Sequence, residues 1–142
     1  MGAPAELSSA SMDSAFPEAN RILVADDSMT ILAMVTSRLE RAGYDVLTAT
    51  RGDEALRLVQ ENKPRLVLLD VEMPGLDGVE VARRIRADEA IAGTFIVLLT
   101  SLSEESDVAT GMAAGANAYL TKPFSPQDLQ TQVELLLGAP TT

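Results

Sequence analysis

The feature that most constrains the fold of this chain is a regular alternation between short apolar runs and longer stretches with helical periodicity. The apolar runs predict five strands, at residues 22–25, 46–49, 66–69, 95–99 and 118–121. Each is followed by a predicted helix, and Ile31, Val35 and Leu39 give the first helix an apolar face. Strict alternation with short connections implies right-handed crossovers. We therefore expect an α/β fold, with a doubly wound, five-stranded parallel sheet and five helices.

Capping signals bound several of these helices. Gly43 ends the first helix, and Ser103 begins a fourth helix that Gly115 ends. Ser125 followed by Pro126 predicts the start of a last helix that runs to about residue 137.

The length of 142 residues favours one domain, at residues 21–137. Residues 1–20 are rich in Ala, Ser and Pro and lack apolar periodicity, which predicts a flexible tail. The part before Met12 is open to being an artificial extension. Residues 138–142 form a short C-terminal tail.

Composition excludes several classes of function. The 21 acidic and 11 basic residues give a net charge of −10, which argues against binding to nucleic acid or to an anionic membrane. The absence of Cys and His excludes zinc–thiolate sites, a Ser-His-Asp triad and a phosphohistidine carrier. The longest apolar run, residues 95–99, is far shorter than the roughly 20 residues that span a bilayer. No signal peptide is visible, so we expect a cytoplasmic protein without membrane insertion.

Polar side chains collect where the predicted strands end. Asp26 and Asp27 follow the first strand, Asp70 the third, Thr100 the fourth and Lys122 the fifth. Each residue alone has an ordinary interpretation, such as a helix cap, a turn residue or a solvated charge. Together they favour a site, because open α/β sheets bind ligands outside the carboxyl ends of their strands.

The chemistry of this set is that of phosphoryl transfer with a hard cation. Three neighbouring carboxylates repel one another, and a divalent cation relieves that repulsion. Oxygen ligands without His or Cys favour Mg²⁺. Thr100 can donate to a phosphoryl oxygen, Lys122 can neutralise another, and a carboxylate can act as the nucleophile.

These motifs resemble the receiver domain of two-component response regulators, of the single-domain, chemotaxis-regulator-like kind. They are VADDS at residues 24–28, LLDVEMPGLDG at 68–78, LTS at 99–101 and YLTKPF at 119–124. Asp70 and Thr100 are 30 positions apart, and Thr100 and Lys122 are 22 apart. The resemblance covers residues 21–137 and implies a flavodoxin-like sheet with strand order 2-1-3-4-5.

The resemblance also implies roles for residues around the metal. Asp70 corresponds to the phosphoacceptor. Asp26 and Asp27 correspond to the acidic pair that holds Mg²⁺, together with Asp70 and the backbone carbonyl of Glu72.

Further residues correspond to those that read the phosphoryl group. Thr100 and Lys122 match the hydroxyl and the ammonium that contact it, and Thr100 and Tyr119 match the switch pair. The Lys122–Pro123 peptide bond is expected to be cis, as in the family.

The resemblance implies two kinds of protein partner. A histidine kinase or a histidine phosphotransfer protein supplies the phosphoryl group, since this chain has no His. A downstream target binds the face made by the fourth helix, fifth strand and fifth helix. Ala109, Met112 and Ala113 in that helix suit either docking of a partner or ordinary core packing. No nucleic acid is expected to bind.

The chain is thus expected to be a signalling switch, with chemistry limited to its own phosphorylation and dephosphorylation. One alternative is a Mg²⁺-dependent phosphohydrolase with an aspartyl nucleophile, in which Glu72 is the general acid. Another is a receiver fragment of a larger multidomain regulator. Glu72 and Leu102 are departures from many relatives that bear on the rate of dephosphorylation.

Overall fold

The computed structural model describes residues 20–101 and 105–138, without the side chains of residues 105–107. Its strands are β1 Arg21–Ala25, β2 Asp45–Ala49, β3 Leu66–Asp70, β4 Phe95–Thr100 and β5 Ala118–Thr121. Its helices are α1 Met29–Arg41, α2 Gly52–Asn62, α3 Gly78–Ala87, α4 Glu105–Ala113 and α5 Pro126–Leu137. The strands form one parallel sheet in the order β2-β1-β3-β4-β5, which confirms the predicted fold.

Strand boundaries differ slightly from the predicted ones, because polar residues that the apolar pattern does not detect also pair in the sheet. β1 begins one residue early, at Arg21, which stands opposite Asp45 in the parallel register. Arg21 Nε lies 3.1 Å from Asp45 Oδ2, so this polar pair extends the ladder between β1 and β2. The predicted cap Ser103 and the departure Leu102 lie outside the described residues.

Helices cover both faces of the sheet, so the middle strands are buried on both sides. α1 and α5 pack on one face, with Leu32, Val35 and Leu39 of α1 in the core. Ile31, which the periodicity placed on this face, lies at its margin and is only partly buried. α2 and α3 pack on the other face, and Gly111 of α4 lies against Leu98 there.

The fourth helix carries its small side chains outward. Ala109, Met112 and Ala113 are all exposed, so their interpretation as core residues is wrong. In the part of the chain that the structure describes, no helix combines the length and the apolar character needed to cross a membrane.

Candidate functional site

Three carboxylates meet at the carboxyl ends of β1 and β3. Asp26 and Asp27 follow β1, and Asp70 is the last residue of β3. The two strands are neighbours in the sheet, with Ala25 opposite Leu69, so the residues that follow are brought together. One oxygen from each carboxylate lies within 4.8 Å of the others. Asp26 and Asp70 are buried, whereas Asp27 is exposed.

Asp26 is held by the turn that leads into α1. Its Oδ1 accepts a hydrogen bond of 2.9 Å from the backbone N–H of Ser28, and its own N–H donates to the carbonyl of Ala49. The N-cap of α1 is Ser28, whose hydroxyl accepts from the N–H of Ile31. Neither Asp26 nor Asp27 fills that position, so capping does not account for the pair.

Asp70 is fixed by the loop between β3 and α3. Its Oδ1 accepts a hydrogen bond of 3.1 Å from the backbone N–H of Glu72. A Cβ at Gly78 would overlap the backbone carbonyl of Asp70, so the close approach of α3 requires glycine there. Asp77 caps α3 by accepting from Glu80 N–H at 2.8 Å. The side chain of Glu72 is exposed beside the site.

Lys122 faces the cluster from the loop after β5. Its Nζ lies 2.9 Å from Asp26 Oδ2 and 3.3 Å from Asp70 Oδ2. Its backbone N–H donates to the carbonyl of Thr100 at 2.7 Å, which ties this loop to the end of β4. The Lys122–Pro123 peptide bond is cis, as the resemblance implied. Lys122 is therefore not a solvated charge, and it is one ammonium facing three carboxylates.

Burial and like charge shape the electrostatics of the site. Burial, followed by the nearby charge of Asp26, raises the pKa of Asp70 to about 6, against the opposing effects of the Glu72 N–H and of Lys122. Burial would lower the pKa of Lys122, but its contacts with Asp26 and Asp70 outweigh burial, so that pKa is raised. The Lys122 ammonium therefore stays charged, but its single positive charge does not balance the three carboxylates.

The donor set fits a hard divalent cation. It consists of oxygen atoms close enough to share one ion, and two of the three carboxylates are withdrawn from water. The cluster opens into a cleft of about 590 Å³, whose lining includes Asp27, Glu72 and Arg83. A cation there would supply the positive charge that Lys122 alone does not.

Thr100 and Tyr119 lie on neighbouring strands beside the cluster. Thr100 ends β4 and is buried, and Tyr119 on β5 is 42% exposed. Both residues line a small cavity of about 90 Å³, together with Leu98, Gly111 and Met112. The predicted switch pair therefore flanks an open space next to α4.

Gly52 supports the site from the start of α2, a role that no sequence motif indicated. Its N–H donates to the carbonyl of Pro74 at 3.1 Å, and a Cβ there would overlap the carbonyl of Leu76. The loop that carries Glu72 thus rests directly on the first turn of α2. An isolated glycine after the second strand gave no signal of this contact.

Comparisons with known proteins agree with the geometry. The family model of the response regulator receiver domain matches residues 22–134. The alkaline phosphatase synthesis transcriptional regulatory protein PhoP of Bacillus subtilis is 43% identical over 117 residues, which cover 82% of this chain and 48% of PhoP. The chain thus spans about half the length of this curated relative.

Two solved structures share the fold closely. A putative response regulator from Chloroflexus aurantiacus is 37% identical, with a TM-score of 0.79 over 83% of this chain and 97% of that one. The BeF₃-activated N-terminal receiver domain of Klebsiella pneumoniae RstA is 32% identical, with a TM-score of 0.77 over 83% and 98%.

These matches do not favour the phosphohydrolase alternative. The family model covers four fifths of the chain and includes every predicted site residue. The chain therefore belongs to the response regulator receiver domain family and is a receiver of two-component signal transduction.

Proposed function

We propose that Asp70 accepts a phosphoryl group from a histidine kinase or a histidine phosphotransfer protein, and that its phosphorylation switches a protein-binding surface. The observation that carries this proposal is the position of the Asp70 carboxylate. It is buried at a strand end, 3.3 Å from the ammonium of Lys122, and shares a possible cation site with Asp26 and Asp27.

The transfer is a substitution at phosphorus. A carboxylate oxygen of Asp70 forms the new P–O bond, the P–N bond to the donor imidazole breaks, and its electron pair leaves with the ring nitrogen, which then takes up a proton. Above a pH of about 6, Asp70 is mostly ionised and able to attack. When bound by Asp26, Asp27, Asp70 and the backbone carbonyl of Glu72, Mg²⁺ supplies positive charge for the phosphoryl oxygens.

Lys122 and Thr100 contact the phosphoryl group once it is on Asp70. The Lys122 ammonium, now paired with Asp26 and Asp70, is placed to neutralise a phosphoryl oxygen on Asp70. The Thr100 hydroxyl, at the end of the next strand, donates to another. A shift of Thr100 changes the cavity that it shares with Tyr119, and this links the phosphoryl group to the α4–β5–α5 surface.

We infer that the protein acts in the cytoplasm, on a downstream protein target and without contact to nucleic acid. The net charge of −10 supports the absence of nucleic acid from its partners. Its chemistry is limited to forming and hydrolysing its own aspartyl phosphate, so it acts as a switch.

Mass spectrometry of the intact chain with Mg²⁺ and acetyl phosphate tests the acceptor. We expect one added phosphoryl group on the wild type and none on Asp70→Asn. Asp77→Asn is the matched control, because Asp77 lies in the same loop and Asn still caps α3. The proposal would be refuted if Asp70→Asn took up the phosphoryl group undiminished. It would also be refuted if uptake by the wild type did not depend on Mg²⁺.

A further inference from the structure

A cavity of about 440 Å³ lies at the amino ends of β3 and β4, at the opposite end of the sheet from the carboxylate cluster. Its lining includes Pro64 and Ile91, which are buried, and Phe95, which is half-buried. Lys63 and Arg65 line it as exposed cations, and no carboxylate is part of the lining. In a chain with a net charge of −10, two cations beside an apolar surface make this cavity a candidate site for an anion.

The guanidinium of Arg65 has unused capacity for hydrogen bonds. It lies 5.9 Å from the centroid of the Phe95 ring, within the range of a cation–π contact. Among the residues that the structure describes, its side chain makes no hydrogen bond and no ion pair. A guanidinium carries five N–H donors in a planar fork that matches phosphate oxygens. Arg65 can therefore bind an anion without first leaving another partner, while the ring contact keeps it at the cavity.

Lys63 stands in a backbone conformation that disfavours a side chain. It ends α2 with a φ of 48° and a ψ of 56°, and no other non-glycine residue in the described ranges has a positive φ. Glycine adopts this conformation without steric cost and is the usual residue where a helix ends in this way. The Lys63 ammonium donates to the carbonyl of Gln60 at 3.3 Å, which uses one of its three donors. The chain thus has a lysine beside the cavity where a glycine would be less strained.

Hydrogen bonds fix the walls of the cavity. The N–H of Phe95 donates to the carbonyl of Arg65 at 2.9 Å, which joins the start of β4 to the residue before β3. On the other side, Arg86 donates to the carbonyls of Ala92 and Thr94 at 2.9 and 2.6 Å. Arg86 also adds positive charge behind that wall. A ligand meets a cavity that is already formed, so little loss of chain entropy opposes its binding.

Acidic residues beside the cavity limit the size of the anion. Asp88 and Glu89 directly precede the lining residue Ala90, and Asp88 Oδ1 accepts from the N–H of Ala90 at 3.0 Å. Glu61, in the last turn of α2, is paired with Arg57. An extended polyanion would meet these carboxylates, whereas a compact anion reaches the two cations of the lining without them.

We propose that this cavity, which we call the amino-end pocket, binds a small phosphate monoester with an aromatic or other apolar body. Lys63 and Arg65 contact the doubly charged phosphate, and Ile91 and Phe95 contact the apolar body. This ligand site goes beyond the function proposed above. It lies at the other end of the sheet from Asp70, and its binding does not require that Asp70 is phosphorylated.

Titration of the ¹⁵N-labelled chain, followed by NMR, tests the ligand class. The probe is phenyl phosphate, and EDTA is present so that no divalent cation draws the phosphate to the carboxylate cluster. Inorganic phosphate lacks the apolar body of the probe, and benzoate lacks its second charge. We expect phenyl phosphate to shift the amide signals of Arg65, Gly93 and Phe95, and to bind at least about threefold more tightly than either. Polyglutamate should bind no more tightly than inorganic phosphate.

Variants locate the site and separate binding from folding. Arg65→Gln and Lys63→Gly should each weaken the binding of phenyl phosphate about three- to tenfold, through the loss of one charged contact. Lys63→Gly should do so without lowering the midpoint of urea denaturation, because glycine accepts a positive φ. Arg51→Gln is the matched control: it removes one exposed positive charge at the other end of the sheet, and it should leave the affinity unchanged.

Four outcomes would overturn the proposal. The first is equal affinity for phenyl phosphate and inorganic phosphate, and the second is tighter binding of polyglutamate than of phenyl phosphate. The third is binding of phenyl phosphate that neither Arg65→Gln nor Lys63→Gly weakens. The fourth is a set of shifted signals confined to Asp26, Asp70 and Lys122, which would place the ligand at the carboxylate cluster instead.

Discussion

Asp70 is a buried charged residue at the carboxyl end of β3, and Arg86 is a partly buried one near the amino end of β4, at the opposite end of the same sheet. Their surroundings differ in kind. Arg86 is surrounded by neutral acceptors, whereas Asp70 has two other carboxylates within 4.8 Å and one ammonium for all three.

The guanidinium of Arg86 joins three segments of the chain. It donates to the carbonyls of Gly115 at 3.0 Å, Ala92 at 2.9 Å and Thr94 at 2.6 Å, and to Asn117 Oδ1 at 2.9 Å. Asn117 Oδ1 also accepts from the N–H of Ile96, so the joint reaches into β4. Burial lowers the pKa of Arg86, yet an arginine stays charged.

The different surroundings of Arg86 and Asp70 show that this fold keeps a stabilising contact and a functional site at separate ends of the sheet. The carbonyls around Arg86 are satisfied by a permanent charge, so this joint stabilises the native state without outside help. The three carboxylates around Asp70 have only one ammonium to offset their charge, so they cost stability until a cation binds. The following substitutions test that contrast.

The largest effect is expected from Arg86→Leu. It removes the donor to three carbonyls and one of the two donors to Asn117 Oδ1, so the free energy of unfolding should fall by about 2–4 kcal/mol. Urea denaturation measures this loss. Arg83→Leu is the control: Arg83 lies on the same helix in an exposed pair with Glu80, and its loss should cost at most about 0.5 kcal/mol. Equal losses of unfolding free energy in Arg86→Leu and Arg83→Leu would show that the hydrogen bonds of Arg86 do not contribute to stability in this way.

Asp70→Asn should stabilise the metal-free protein, whereas Arg86→Leu destabilises it. The pKa of Asp70 is about 6 in the folded chain against 3.8 normally, so the ionised form is disfavoured by folding. Above pH 6 the substitution should raise the free energy of unfolding by about 1–3 kcal/mol. The gain should fade as the pH falls from 6 toward 4, because the folded wild type then takes up the proton. Urea denaturation in EDTA at both ends of this range measures it, and destabilisation at pH 7.5 would contradict it.

Mg²⁺ should stabilise the carboxylate end alone. At several times its dissociation constant, the ion should add about 1 kcal/mol to the stability of the wild type by mass action. Asp27→Ala should abolish most of this gain, whereas Arg86→Leu should keep it, since Arg86 lies at the other end of the sheet. Thermal melts with and without Mg²⁺ measure the gain for each variant. An equal Mg²⁺-dependent stabilisation of Asp27→Ala and Arg86→Leu would contradict the proposed site.

The smallest expected effect concerns Gly52. Gly52→Ala pushes the carbonyl of Leu76 and the loop that carries Glu72, so Mg²⁺ affinity should fall roughly two- to fivefold. Gly93→Ala is the matched control, because a Cβ there meets nothing within 4 Å. Calorimetric titration of Mg²⁺ checks both variants. Unchanged affinity for Gly52→Ala would show that α2 does not position this loop.

Parts of the fold and site that depend on local signals were predictable from sequence. The apolar runs placed every strand within a residue or two, and Ser125 caps α5 as expected. Gathering of Asp26, Asp70 and Lys122 followed from a general rule for parallel sheets. Ala109 was left undecided, because small residues suit a core and a surface alike, and only packing shows it exposed.

Contacts between distant segments were not predictable. Gly52 meets the loop near Leu76, and Arg86 meets Asn117, across gaps in sequence that no periodicity spans. The 42% exposure of Tyr119 likewise depends on how α4 lies against the sheet edge.

The sequence by itself determined the alternation of strands and helices and the carboxylate, hydroxyl and ammonium chemistry at the strand ends. Hydrophobic periodicity, side-chain type and charge are properties of the chain whatever its conformation. Only the tertiary structure decided that Lys122 bridges Asp26 and Asp70, and that burial and like charge raise the pKa of Asp70. Distances and loss of solvent arise when separate segments pack together, and these set the strength of every electrostatic interaction.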